Sequence, residues 1–231
     1  MIRISCASIE TPMILSSDSP LTLTIENPKE YYNTAREIAA SFDGEEGEFS
    51  FWNDSSSFSP DKKGEVILSP FYFDATDKKI ITLLYKKLQS NFNDGDLLAK
   101  FNGISAELED FLYDLCSTVN FSLDHNCLSI EDALKVCSVK PSKTYDTLLE
   151  KLICYINIFT ELKSADFFVL VGVKSVLTDE ELQELFRHCA LQKVSLFFLE
   201  GCNSRKTLPN ERKIIITEDL CEIVENIEET C

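Results

Sequence analysis

Apolar residues alternate with polar ones, or form short clusters, in the first third of the chain, as they do in β-strands. Three segments show this pattern: Ile2 with Ile4, residues 13–15, and Leu21 with Leu23 and Ile25. Asn27 followed by Pro28 predicts a helix that runs to about Phe42, because asparagine caps helices and proline suits the first helical position. Apolar residues at 49–52 and 66–68 predict two further strands.

The middle of the chain changes to a helical spacing, with apolar residues at about every fourth position. Ile80, Leu84 and Leu88 begin this pattern and predict a long helix that starts near Asp77. Four more segments are predicted to follow: a helix over 97–119, an extended stretch over 121–127, a short helix capped by Ser129, and a long helix that opens at Pro141 and Ser142.

The last third returns to strands and helices in alternation. Residues 167–173 are an unbroken apolar run and predict a fully buried strand, and two more are predicted over 194–200 and 213–217. Thr178 with Glu181 three positions later is a capping box, which predicts a helix after it. Both ends of the chain therefore predict one α/β domain, interrupted by a helical insertion.

Charge complicates any assignment of function. The chain has 231 residues, 44% of them hydrophobic, and a net charge of −17 from 39 acidic and 22 basic residues. Composition alone argues against nucleic-acid binding, because phosphates need a positive surface. Net charge does not describe how charge is distributed, however, and basic residues can still line one face.

The compartment is predicted from apolar runs and cysteines. The longest apolar run, residues 167–173, is too short to span a bilayer, and the N-terminus lacks the apolar core of a signal peptide. The nine cysteines are odd in number and form no CxxC pair, which favours reduced thiols. We therefore expect a cytoplasmic protein without membrane contact.

The motifs of common enzymes are missing from the sequence. The segment IENPKEYYN after the third predicted strand contains no GxxxxGK[ST], so a phosphate loop is absent there. The two histidines are His125 and His188, and His188 adjoins Cys189 on a predicted helix, where neighbouring side chains point apart. We predict that the protein is not an enzyme. A nucleotide-dependent switch or hydrolase, and an adaptor that binds only proteins, stay open as alternatives.

An acidic stretch and several groups of basic residues are the candidate binding sites. The segment SLDHNCLSIED places four oxygen-bearing side chains near a helix start, and hard cations such as Ca²⁺ prefer oxygen ligands: Asp124, Asn126, Glu131 and Asp132. The same acids could simply favour the helix dipole. The lysines proposed to contact phosphates are Lys62, Lys63, Lys78, Lys79, Lys135, Lys140 and Lys143, although each could be ordinary solvated surface. Further basic pairs occur at 86–87, 205–206 and 212–213.

The order of these segments resembles one family, the CRISPR-associated Csn-two proteins. The similar segments are LTLTIEN, FDATDKKIITLLYKKLQSNFND, LSIEDALKV, residues 148–200 and IIITEDLCEI. Residues 148–200 are the most specific part, because a long helix, a buried strand, a capped helix and a second buried strand follow in the family's order.

This resemblance implies an α/β head of degenerate P-loop-NTPase-like topology with an inserted α-helical leg domain. The head would comprise residues 1–74 and 160–231, and the leg residues 75–159. It implies a homotetrameric ring that encircles double-stranded DNA, loads from free ends, and is stabilised by calcium near the junction of head and leg. It also implies a role in spacer acquisition, an antiviral defence, together with the integrase and effector nuclease of type II-A systems. The positions of Ser122, Asn126 and Cys127 are acidic in that family, so this chain is expected to hold calcium more weakly or at fewer sites.

Overall fold

The computed structural model describes residues 2–45, 47–53, 56–74, 76–92, 95–142, 144–163, 165–203 and 205–226. The chain divides into two compact units. We call Met1–Asp74 with Thr144–Cys231 the α/β unit, and Ala75–Lys143 the helical unit.

Ten strands are assigned among the described residues: β1 (Ile2–Cys6), β2 (Ile9–Leu15), β3 (Leu21–Ile25), β4 (Ser50–Asn53), β5 (Ser56–Phe58), β6 (Gly64–Ile67), β7 (Phe167–Val171), β8 (Ser195–Glu200), β9 (Arg212–Ile216) and β10 (Glu222–Asn226). Six α-helices are assigned in the same part of the chain: α1 (Pro28–Phe42), α2 (Lys78–Phe92), α3 (Gly95–Cys116), α4 (Ile130–Val136), α5 (Leu148–Lys163) and α6 (Asp179–Leu191).

The centre of the α/β unit is a six-stranded sheet in the order β10-β9-β3-β8-β7-β6. The neighbouring strands from β9 to β6 are parallel, and β10 pairs antiparallel with β9. Every residue of β3, β7 and β8 is buried, which explains the unbroken apolar sequence of β7 and the apolar centre of β8. The parallel arrangement brings the carboxyl ends of these strands to one edge of the sheet.

A second sheet is antiparallel, in the order β2-β1-β4-β5 among the described strands. Side chains of Ile4, Met13 and Phe51 from this sheet share one apolar core with Leu23 and Phe167 of the six-stranded sheet. The rings of Phe51 and Phe167 stack with their centroids 5.7 Å apart. The alternating pattern at the N-terminus therefore reflects a sheet that buries one face.

Three helix starts predicted from the capping residues Asn27, Ser129 and Thr178 are confirmed. The hydroxyl of Ser129 accepts from the backbone N–H of Asp132 at the start of α4. The side chain of Asn27 accepts hydrogen bonds from the backbone N–H groups of Lys29 and Glu30. Thr178 and Glu181 form both bonds of a capping box at the start of α6. These local signals place α1 and α6 because the first turn of a helix needs acceptors for its free N–H groups.

The start of α5 and the end of the helical insertion differ from the prediction. Helix α5 begins at Leu148 rather than at Pro141. At this observed start, the hydroxyl of Thr147 accepts from the N–H of Glu150 at 3.1 Å. The structure assigns α5 to the α/β unit, so the helical unit ends at 143 rather than 159. The reason is packing, because Phe159 of α5 is buried against Phe168 of β7.

The helical unit consists of α2, α3 and α4 in its described residues. The hydroxyl of Tyr85 in α2 donates to the backbone carbonyl of Leu134 in α4 at 3.0 Å. The rings of Phe92 and Phe101 pack edge to face, which joins α2 to α3. Residues 122–129, which include most of the stretch predicted to be extended (121–127), form an irregular connection before α4. None of the described helices is long and apolar enough to cross a membrane.

Candidate nucleic-acid interface

Four lysines line one groove of the helical unit, with a volume of about 670 Å³. We call it the lysine groove, and its polar lining includes Lys78, Tyr85, Lys86, Gln89, Glu131, Lys135 and Lys140. The structure thus brings together three of the lysines predicted to contact phosphates. Lys86 belongs to the same groove although it was not among the predicted site residues.

Two helices and the turn after α4 position these side chains. Lys78 and Lys86 are eight residues apart, about two turns of α2. Residues at successive intervals of four stay near one face of a helix, so both lysines line the groove. Lys135 follows Glu131 by one turn of α4. Ser138 then adopts a left-handed backbone conformation with φ of 50° and donates to the carbonyl of Lys135, which ends the helix before Lys140.

One carboxylate lies among the four cations of the groove. The Nζ atom of Lys135 is 2.6 Å from Oε1 of Glu131, and Gln89 donates to Oε2 of the same carboxylate at 3.3 Å. The hydrogen bond from Lys135 and the bond from Gln89 lower the pKa of Glu131, and the same carboxylate raises the pKa of Lys135. Because four lysines line the groove with a single carboxylate among its described residues, its net charge is positive at neutral pH, which suits a phosphate backbone.

The predicted calcium ligands do not converge in the described residues. Asn126 and Asp132 line one pocket beside Glu109, and the carboxylate of Asp132 accepts from the hydroxyl of Ser129. Glu131 lies in the lysine groove instead, and Asp124 is exposed to solvent. No cluster of three or more His, Cys, Asp or Glu side chains suited to a metal ion occurs in the part of the chain that the structure describes. Calcium binding therefore stays a prediction.

Comparison with known proteins identifies the family. A family model described as CRISPR-associated protein (Cas_Csn2) matches residues 41–220, which include the entire helical unit and its lysine groove. The chain belongs to the Csn2 family. This confirms the resemblance found in the sequence.

Two curated Csn2 proteins are similar to this chain over most of its length. CRISPR-associated protein Csn2 of Streptococcus agalactiae is 22% identical over 201 residues, 87% of this chain and 89% of the relative. CRISPR-associated protein Csn2 of Enterococcus faecalis is 21% identical over 228 residues, 94% of this chain and 96% of the relative. Family membership indicates a CRISPR-associated role.

The remaining predicted lysines of this Csn2-family chain lie elsewhere. Lys62 and Lys63 belong to the α/β unit, where the Nζ atom of Lys63 is 3.7 Å from the carboxylate of Asp166. Lys79 is in α2 but is not part of the lining of the lysine groove. Lys143 lies outside the described residues.

The turn between β3 and α1 explains why this Csn2-family sheet has no phosphate loop there. Only Glu26 and Asn27 separate the strand from the helix. The N–H of Glu26 donates to the carbonyl of Ile216, and the side chain of Asn27 already occupies the N–H groups of the first helical turn. This turn therefore has neither the length nor the free donors that a nucleotide phosphate requires.

Proposed function

We propose that this protein binds the ends of double-stranded DNA without sequence preference, as a homotetrameric ring, during the acquisition of CRISPR spacers. The observation that carries the proposal is the lysine groove, in which four lysines from distant parts of the sequence line one surface. Lysine ammonium groups contact phosphates but have little means to distinguish bases. Family membership supplies the CRISPR context.

A partly exposed apolar stripe on α3 supports self-association. Its side chains follow a spacing of alternately three and four residues, as at the interface of a coiled coil: Leu97, Phe101, Ile104, Leu108, Phe111 and Leu115. Ile104 and Phe111 are each 60% exposed in the single chain. We propose that other copies of the chain cover this stripe in the tetramer, because apolar surface of this kind is stabilised by burial.

The α/β unit supports a binding role rather than catalysis. We propose that its six-stranded sheet has a degenerate P-loop-NTPase-like topology. The parallel core of the sheet and the short turn after β3 support this proposal. The proposed partners are duplex DNA, further copies of this chain, and the integrase and effector nuclease of type II-A systems. Calcium is a proposed cofactor only through the family resemblance.

The decisive experiment compares DNA forms and groove variants. We expect the wild-type chain to bind linear duplexes of unrelated sequence with similar affinity, and closed circular duplexes far more weakly, because a ring threads only free ends. The double variant Lys86→Glu, Lys140→Glu should bind linear duplexes at least roughly tenfold more weakly. Lys100→Glu is the matched control, since Lys100 is exposed on α3 and does not line the groove.

Two results would contradict this proposal. Equal affinity for closed circles and linear duplexes would rule out threading. An unchanged affinity in the double variant, or an equal loss in Lys100→Glu, would place the DNA contact away from the lysine groove.

A further inference from the structure

A cavity lies at the carboxyl ends of β3, β7 and β8, and the proposed DNA contacts do not use it. Its volume is about 190 Å³, and its wall includes Thr24 of β3, Gly172 after β7 and Gly201 after β8. After β3 the chain next enters this sheet at β6, which lies beyond β8 and β7 on one side of β3. After β8 it enters at β9, on the opposite side of β3. Such a reversal at the carboxyl ends of parallel strands is where α/β sheets commonly bind ligands.

The wall of this cavity presents three cationic side chains: Lys174, Arg205 and Lys213. Lys174 and Lys213 are almost fully buried, with 5% and 3% of their surface exposed. Burial of a lysine in a protein interior is costly, so such groups occur mainly where a partner or a function requires them.

The carboxylates that pair with these cations are not part of the cavity wall. Lys174 pairs with Glu211, which also accepts from the hydroxyl of Thr22. Nη1 of Arg205 donates to Asp179 at 3.0 Å. Nζ of Lys213 is 3.7 Å from Glu225, and it also donates to Asn203 and, at 2.7 Å, to the carbonyl of Arg205. Counter-charges thus hold the cations in place from outside the cavity.

The cations retain donors for a ligand. An ammonium has three N–H groups, and among the described residues that of Lys174 uses two, on Glu211 and on Thr22. A guanidinium has five N–H groups, and the bond of Arg205 to Asp179 uses one of them. Tyr31 and Ser175 also line the cavity, and the hydroxyl of Ser175 donates to the carbonyl of Gly172 at 2.7 Å.

Glu200 is the one carboxyl group in the described wall of the cavity. One of its oxygens accepts from the backbone N–H of Lys174 at 2.9 Å. Burial raises the pKa of Glu200 to about 7, although the N–H of Lys174 and the charges of Lys174 and Arg205 act in the opposite direction. The charge of Glu211 adds to the rise, and the other titratable groups of the cavity wall are Tyr31, Cys202 and Lys213. A protonated carboxyl group donates a hydrogen bond, as the three cations do.

We propose that this cavity binds a small phosphate-class oxyanion, with Lys174, Arg205 and Lys213 as cationic donors and Glu200 as the fourth hydrogen-bonding group. The volume suits inorganic phosphate or a small phosphate monoester, since pockets for larger ligands measure roughly 300–1,000 Å³. A nucleoside triphosphate is too large. The site is distinct from the lysine groove, which belongs to the other unit of the chain.

Binding is coupled to the proton on Glu200. Above its pKa the carboxylate is charged and repels an oxyanion, so the affinity should fall by about tenfold for each further pH unit. Sulfate tests this coupling cleanly because, unlike phosphate, it does not titrate near neutral pH. Its affinity should be constant below about pH 6 and should fall between pH 7 and pH 9.

The test uses the full chain and titrates it with sulfate, inorganic phosphate, ribose 5-phosphate and ATP, in sodium chloride of matched ionic strength, by calorimetry and melting temperature. We expect sulfate and phosphate to bind and ATP not to bind. Binding of ribose 5-phosphate as well would identify a monoester site, and its exclusion would identify a site for the free anion. Absence of anion-specific binding at pH 6 would overturn the proposal.

Variants locate the site. Arg205→Gln should weaken sulfate binding at least roughly tenfold, and Arg205→Lys should weaken it less because the charge remains. Arg187→Gln, on the exposed surface of α6, and Lys140→Gln, in the lysine groove, should leave sulfate binding unchanged. An equal loss in either control would overturn the assignment.

Glu200→Gln separates the proton from the rest of the site. This variant keeps an oxygen acceptor for the N–H of Lys174 and cannot acquire a charge. We expect it to bind sulfate with an affinity independent of pH from 6 to 9. A pH profile identical to that of the wild-type chain would exclude Glu200 as the coupled group.

Discussion

Glu200 is a buried carboxyl group, whereas a carboxyl group in water is charged at neutral pH. Its side chain lies at the end of β8, and burial raises the pKa from its ordinary value of 4.5 to about 7. A carboxyl group whose pKa is higher in the folded chain keeps its proton there after the unfolded chain has lost it. The stability associated with this raised pKa is therefore fully present below pH 4.5, and it is lost as the pH rises to about 7.

Glu200→Gln should remove this pH dependence. We expect the free energy of unfolding of the wild-type chain to fall, relative to that of the variant, by about 3 kcal/mol between pH 4 and pH 8, since one pKa unit corresponds to about 1.4 kcal/mol. Urea denaturation at both pH values measures the difference. A difference between the two proteins that stays constant over this range would contradict the shifted pKa.

Asp124 and Asp132 provide the test of calcium binding. If calcium binds through the acidic stretch as the family resemblance implies, it should raise the melting temperature of the wild-type chain. Asp124→Ala and Asp132→Ala should each reduce this rise, because each removes carboxylate ligands. Asp114→Ala is a control, since Asp114 is exposed on α3. An undiminished rise in both variants would place the ion elsewhere.

At the scale of elements, helix α3 is 22 residues long, yet no described residue in it is buried. Its apolar stripe would cost free energy if it faced water in the assembled protein. Ile104→Gln combined with Phe111→Gln should therefore reduce the assembly from a tetramer to smaller species, while the single chain stays folded. Light scattering at micromolar concentration measures the mass.

The control for this experiment is Glu107→Gln, an exposed position of α3 outside the stripe. It should leave the mass unchanged. A wild-type chain that is strictly monomeric in this measurement would contradict the proposed ring directly.

The elements also show what local sequence is able to predict. Buried strands were evident from unbroken apolar runs, and α1 and α6 from their caps, because both signals depend on neighbouring residues. Strand β10 was not predicted, since its polar sequence EIVEN is stabilised by pairing with β9 and has no strong pattern of its own. The early start predicted for α5 followed Pro141, whereas the acceptor that begins this helix is at Thr147.

The candidate site was only partly predictable for a similar reason. The spacing of Lys78 and Lys86 along α2 is local, but the approach of Lys135 and Lys140 depends on packing between α2 and α4. Glu131 and Asp132 are adjacent on a helix, so their side chains point about 100° apart and serve different surfaces. A count of acidic residues in sequence could not reveal this divergence.

At the scale of the whole molecule, a chain with a net charge of −17 needs a local cationic surface for the DNA binding that we propose. Because phosphate contacts release counterions, the logarithm of DNA affinity should fall linearly with the logarithm of salt concentration. Lys86→Gln should reduce the slope by roughly 0.9 for each phosphate that the variant no longer neutralises, equally for unrelated sequences. Anisotropy titrations from low to high salt measure both slopes. A variant with an unchanged slope would show that Lys86 does not neutralise a phosphate.

The position of β3 between β8 and β9 has a consequence for how the protein is made. The ribosome delivers β3 early, but both neighbours of this strand emerge only after most of the chain has been synthesised. The helical unit, whose contacts are closer in sequence, is able to fold during this interval. Until Arg212–Ile216 leaves the exit tunnel, the nascent chain carries an apolar strand with an unpaired edge, which is prone to aggregate. Slow translation of the last third, or a premature stop within it, should therefore direct the chain towards chaperones and proteases rather than towards the assembled protein.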